Sequence, residues 1–145
     1  MTLLHNPYFV VPLIAWAIAQ TSKVIIDSVL LHRISVRRLA TAGGMPSSHS
    51  ALVVSLTTII GRLQGIGSPL FALSLIFSTV VMYDATGVRR AAGQQAMVLN
   101  SLLDDVFIAH RGIHQERLRE LLGHTPIEVI AGAVLGIVIG VGLWQ

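Results

Sequence analysis

The stretch Thr125-Pro126-Ile127-Glu128-Val129-Ile130-Ala131-Gly132-Ala133-Val134-Leu135-Gly136-Ile137-Val138-Ile139-Gly140-Val141-Gly142-Leu143-Trp144 decides the fold. Beyond Glu128 it holds no charged residue, so a helix built from it has no polar face to show to water. It opens with a hydroxyl, a proline at the first helical position and a carboxylate three residues after the hydroxyl, which is the pattern of a capping box. Gly132, Gly136 and Gly140 recur every four residues and form a stripe along which a second helix can come close. Packing inside the chain and formation of a homo-oligomer are both served by such a stripe.

The rest of the chain agrees with an apolar solvent. Its 145 residues suit one domain, residues 1–145, yet 53% are hydrophobic and only 12% charged, where soluble domains carry roughly 25% charge. Residues 7–31, 46–63, 68–88 and 126–144 are each near the ~20 residues that cross the hydrocarbon of a bilayer. A soluble bundle with buried helices is the competing reading, and the uncharged stretch 129–144 argues against it. The expected fold is therefore all-α: an integral membrane bundle of four transmembrane helices, with an amphipathic segment between the third and fourth. There is no cysteine, so disulfides and thiolate metal sites are excluded. Ala17-Ile18-Ala19 has the form of a signal-peptidase site, but no Lys or Arg precedes it, and the first helix is expected to be retained.

Residues 91–122 are the one long polar region, expected to be a helical hairpin turning at His110 to His114. There Met97, Leu99, Leu102, Leu103, Val106 and Phe107 make an apolar stripe opposed by Gln95, Asn100 and Asp104. Threading the spans puts the end of the first, the start of the second, the end of the third and the start of the fourth at one face. Arg33, Arg37, Arg38, Arg89, Arg90, Arg111, Arg117 and Arg119 fall in the two loops of that face, Arg62 near the opposite turn, and Lys23 within the first span. By the positive-inside rule that face is cytoplasmic and both termini lie outside.

Four polar clusters share this face, the most informative being Gly43-Gly44-Met45-Pro46-Ser47-Ser48-His49-Ser50. Hydroxyls, a lysine, arginines and a helix start are the parts that hold a phosphate, because backbone N–H groups and the helix dipole favour anions and guanidinium binds oxygens in pairs. Two histidines complete a phosphoryl-transfer set, one attacking phosphorus and the other protonating the departing alkoxide. Each feature has a plainer reading: His124 and Glu128 as a helix cap, Lys23 and Asp27 as an ion pair one turn apart, Asp84 paired with Arg89 or Arg90 or ordering them. His110, Arg111 and His114 read as a solvated turn, His5 and His32 carry no signal, and Asp104-Asp105 has no partner acids for a metal. No aromatic-interleaved basic stripe points to nucleic acid.

Pro46-Ser47-Ser48-His49, followed far downstream by His124-x-x-x-Glu128 at the head of an Ala-Gly-rich helix, resembles the type 2 phosphatidic acid phosphatase and vanadium haloperoxidase superfamily. The segments GGMPSSHSA, VMYDATGVRRAAGQQAMVLN and LGHTPIEVIAGAVLG resemble its divergent small bacterial and plastid branch across roughly residues 20 to 140. The resemblance implies His49 as general acid, His124 as the nucleophile of a phosphohistidine, and Glu128 in place of the orienting aspartate. It also implies Ser47 and the Ser48 amide on phosphate oxygens, with Lys23 from the first motif. That motif places an arginine seven residues after its lysine, where this chain has Leu30, and the third places one where it has Leu118. Arg89 or Arg90 is the expected replacement, with Arg38 and Asp84 in support.

The implied protein is a phosphatase acting on phosphatidate, phosphatidylglycerophosphate or polyprenyl phosphate in a bacterial inner or plastid membrane. Its site faces the cytoplasm or stroma, and it needs no metal or other cofactor; phosphate or vanadate would occupy the pocket. The alternative is a catalytically degenerate membrane protein that binds anionic headgroups or a partner. A small transporter is a weaker third, since four spans would need to oligomerise around a path.

Overall fold

The computed structural model describes residues 3–31, 44–107 and 123–143. Gly43, the expected turn at His110 to His114, and Arg33, Arg37, Arg38, Arg111, Arg117 and Arg119 lie outside that set, as do the side chains of Asp27, Arg89, Asp104 and Asp105. Among the described residues every regular element is helical: a 3-10 turn at Leu3–His5, then α1 (Pro7–Leu31), α2 (Ser48–Gln64), α3 (Pro69–Thr86), α4 (Val88–Phe107) and α5 (Pro126–Gly142).

The helix starts are written locally. Asn6-Pro7, Ser68-Pro69 and Thr125-Pro126 each place a capping side chain before a proline whose missing N–H would have no partner in the first turn. Asn6 Oδ1 accepts from the Tyr8 N–H at 3.0 Å, and Ser68 Oγ from the Phe71 N–H at 3.2 Å. At α5 both halves of the capping box form.

Helix α2 is the central element, packed against α1, α3 and α5, and α1 and α3 also touch α5. Its core contacts are small and branched: Ala51 and Ile59 of α2 meet Val11, Ala15 and Ala19 of α1 and Ile139 of α5. Between α2 and α3 the contact is polar. Ser78 Oγ donates to the Val53 carbonyl at 3.0 Å and lies 2.8 Å from Thr57 Oγ1, which is itself 3.1 Å from the Ser74 carbonyl. At the far end Arg62 donates to the carbonyls of Gly140 and Val141, closing the last turn of α5.

The glycine stripe is used within the chain. A Cβ on Gly132 would lie 2.2 Å from the Ser47 carbonyl oxygen, one on Gly136 2.7 Å from that of Ala51, and one on Gly140 2.7 Å from Thr58 Cβ. Helices α2 and α5 therefore run parallel in close contact, and this face of α5 is not open to a second copy.

Length and apolarity single out two segments able to cross a bilayer, Pro7–Ile26 and Pro69–Leu103; Pro126–Gly142 is apolar but shorter. The second contains α3, which ends at Thr86 beside the expected limit at residue 88, together with most of α4. It continues through Gly87, whose N–H still bonds the Tyr83 carbonyl and whose carbonyl accepts from Ala91, so α4 follows α3 with only a turn between them. On α4, Asn100 is buried while Met97, Leu99 and Leu102 are exposed along with Gln94 and Gln95. Across the bundle hydroxyls lie inside and large apolar side chains outside, with Ser48, Ser50, Ser55, Thr57, Ser74 and Ser78 buried and Ile76, Val80, Ile130 and Val138 outward. Such a surface is unfavourable against water and costs nothing against hydrocarbon.

The seam is directly testable. Gly136→Val is expected to lower the thermal stability of the detergent-solubilised protein by about 1–3 kcal/mol, as over-packing does. Gly142→Val, where a Cβ meets nothing within 4 Å, is expected to stay within about 1 kcal/mol of the parent.

Candidate functional site

The start of α2 is shaped by three backbone features: Gly44 at φ +85°, a cis Met45-Pro46 bond, and Ser47 as the N-cap. Ser47 Oγ accepts from the Ser50 N–H at 3.4 Å and lies 3.1 Å from Ser50 Oγ, and the Ser47 carbonyl accepts from the Ala51 N–H at 3.0 Å. The amides of Ser48 and His49 belong to the first turn, which has no intrahelical partners for them. Helix α1 passes alongside, bringing the buried Lys23 to Ser48, with Nζ donating to Oγ at 3.4 Å. Lys23 sits eight residues before the end of α1, so this helix overshoots the site by roughly 12 Å at 1.5 Å per residue.

The second half comes from the loop into α5. His124 is 4% exposed, and its backbone N–H donates to the Ala85 carbonyl near the end of α3 at 3.1 Å. Its Nδ1 lies 3.0 Å from Glu128 Oε2, and the same oxygen accepts from the Thr125 N–H at 3.1 Å. A carboxylate accepts here, so Nδ1 carries the N–H that donates to it and Nε2 holds the ring's lone pair. Nε2 is buried and has no hydrogen-bond partner among the described residues.

The halves are joined by backbone. The Ser47 N–H donates to the Glu128 carbonyl at 2.9 Å, and one turn on, bare Gly132 lets the Ser47 carbonyl lie against α5. The consequence is that His49, exposed in the first turn of α2, faces His124 with ring centroids 6.5 Å apart and planes at 61°. Because α2 and α5 are parallel, both present the positive ends of their dipoles here, which favours an anion between them.

Of the residues singled out from sequence, Lys23, Ser47, Ser48, His49, His124 and Glu128 are brought to one end of the bundle. Ser47 is fully buried and its side chain is engaged as the α2 cap. Asp84 is half-buried in the last turn of α3 and Arg90 is exposed in the first turn of α4, while the Arg89 side chain and Arg38 lie outside the described set. Three contributors were not foreseen: the Ala85 carbonyl, the Glu128 carbonyl and the closeness of Gly132 to Ser47. The first two are main-chain acceptors with no side-chain signature, but the third had a signal in the glycine stripe, whose first member lies four residues after Glu128.

No solved structure matches the chain. A Bacillus subtilis relative, which bears the name Uncharacterized membrane protein YuiD, is 42% identical over 149 residues, spanning 96% of this chain and 94% of its own length. The profile of the Divergent PAP2 family matches residues 4–139, a range that includes His49, His124, the capping box and the first two glycines of the seam. With the match running through all of the site-forming helices, the chain belongs to the Divergent PAP2 family.

Proposed function

We propose that the protein is an integral membrane phosphatase that removes a phosphate monoester, or the terminal phosphate of a diphosphate, from a lipid. Family membership, the membrane designation of the Bacillus relative and the outward apolar surface support the setting. In this reading α1, α2, α3 and α5 cross the bilayer and the histidine end faces the cytoplasm or stroma. The observation that carries the reaction is His124: Nδ1 is held by Glu128, Nε2 is buried without a partner, and a second imidazole stands opposite.

The chemistry follows from that geometry. The phosphate sits between the two helix starts, its charge met by Lys23, by the first-turn amides of α2, by the Ser48 hydroxyl and by Arg89 or Arg90. The Nε2 lone pair forms the N–P bond as the bond from phosphorus to the lipid oxygen breaks, and protonated His49 gives its proton to that oxygen. Glu128 stabilises the positive charge that develops on the His124 ring. Water then attacks the phosphohistidine with His49 taking its proton, the N–P bond breaks, and phosphate leaves with both histidines restored. Phosphatidate, phosphatidylglycerophosphate and polyprenyl phosphates are the substrates to test, and vanadate is expected to bind in the same place.

A second reading, a degenerate protein that binds anionic headgroups without hydrolysis, is favoured by one observation. Leu30 and Leu118 stand where the superfamily's arginines are expected, and Arg90 is exposed. Lost guanidinium contacts of this kind cost phosphoryl transfer orders of magnitude in rate.

Purified protein in detergent separates the two. Phosphate release is expected from at least one of the three lipid classes, with vanadate inhibiting. His124→Ala is expected to abolish turnover and His49→Ala to reduce it by about 10²–10⁴-fold, the range for a lost general acid. Equal release by wild type and both variants would refute the catalytic reading. A separate measurement addresses the orienting contact: long-range 15N–1H spectra of the His124 ring are expected to show the Nδ1–H tautomer in wild type and a tautomer mixture in Glu128→Ala.

A further inference from the structure

Helices α3 and α5 leave a lateral groove of about 430 Å³ between them, bounded by Thr79 and Thr86 on α3 and by Pro126, Ala133 and Ile137 on α5. One end adjoins the site. Thr86 follows Ala85, whose carbonyl holds the His124 N–H, and Pro126 is two residues beyond His124. The groove walls are alkane-like even where the sequence has hydroxyls, because Thr79 Oγ1 donates to the Leu75 carbonyl at 2.9 Å and Thr86 Oγ1 to that of Met82 at 3.2 Å. Tyr83, 73% exposed, lies towards the site end, the level at which tyrosine favours a membrane–water boundary.

Its dimensions choose the occupant. From Pro126 to Ile137 the groove follows α5 for eleven residues, about 16 Å at 1.5 Å per residue, which matches half of the ~30 Å hydrocarbon core. A polymethylene chain descending from a phosphate held at His124 can lie along this apolar groove for the depth of one leaflet. Ala133 forms the narrow floor at about 10 Å from Pro126, deeper than a six-carbon chain reaches.

We infer that this groove seats one aliphatic tail of the lipid whose phosphate lies at His124, so that substrate is selected by a tail running one leaflet deep along α5. The identity of the headgroup rests on the phosphatase reading; the tail seat does not require turnover.

The test uses the full chain and two probes, dioleoyl phosphatidate and dihexanoyl phosphatidate. Ala133→Phe, which fills the floor, is expected to lower the long-chain to short-chain ratio of kcat/KM by at least about tenfold, as loss of several pocket methylenes does. Val138→Phe, equally lipid-facing but outside the groove, is expected to leave the ratio at the wild-type value. An unchanged ratio in Ala133→Phe, or an equal fall in both variants, overturns the seat. If wild type hydrolyses neither probe, phosphatidate is not the substrate and the seat is decided without activity. The chain has no cysteine, so maleimide labelling of Ala133→Cys and Val138→Cys is unambiguous. Dioleoyl phosphatidate is expected to slow labelling of Ala133→Cys several-fold more than the dihexanoyl lipid does, with no such difference at Val138→Cys. Equal slowing at both positions would show ordinary surrounding lipid and overturn the inference.

Discussion

The site depends on the absence of a side chain at Gly132. The Ser47 carbonyl occupies the place where a Cβ would be, 2.2 Å away, and the Ser47 N–H bonds the Glu128 carbonyl. One residue thus caps α2 with its side chain, begins α2 with its carbonyl and fastens α2 to α5 with its amide. That fastening sets the two parallel helices level, so that His49 and His124 face one another instead of being offset by a turn. It also sets two positive helix ends side by side. Two such ends repel weakly, and an anion between them relieves the repulsion, so the backbone arrangement favours negative charge there before any side chain contributes.

The seam is also how such a bundle holds together in an apolar solvent. Lipid tails are as apolar as leucine, so burying apolar surface between helices gains little, and close packing and interhelical hydrogen bonds carry the association. The chain uses both around α2. Glycines allow backbone approach on the α5 side, alanines on the α1 side, and the Thr57–Ser78 hydroxyl pair bridges to α3. Each of these two hydroxyls is also bonded to a main-chain carbonyl. Buried polar groups and exposed apolar ones, reversed from the order in water, come from the same cause.

Much of this is legible in the sequence where the signal is local. A capping side chain before proline marks the starts of α1, α3 and α5, and the family resemblance rested on motifs at the starts of α2 and α5 that the fold brings together. The glycine stripe was legible as a close contact but not as to its partner, because small residues specify distance and leave open which helix approaches. The amphipathic pattern of residues 91–107 was legible as a helix, and α4 covers it; of the polar positions, Asn100 is buried and Gln95 exposed. The end of α3 was legible as well, since Gly87 stands as its C-cap while the neighbouring backbone bonds carry the chain directly into α4.

The sequence left a choice at Glu128 between capping the helix and holding His124, and one carboxylate oxygen makes both contacts. A capping box aims the carboxylate back at the N-cap amide, and here Oε2 receives the Thr125 N–H at 3.1 Å. His124 immediately precedes that cap, so its ring reaches the same oxygen, at 3.0 Å. The cap fixes the carboxylate, and the carboxylate fixes the tautomer. This accounts physically for glutamate where the superfamily pattern has aspartate, because the capping box calls for a side chain long enough to fold back over a full turn. The orienting contact is thereby built into the first turn of α5, the same turn whose Glu128 carbonyl holds Ser47, so the element that orients one histidine also positions the other.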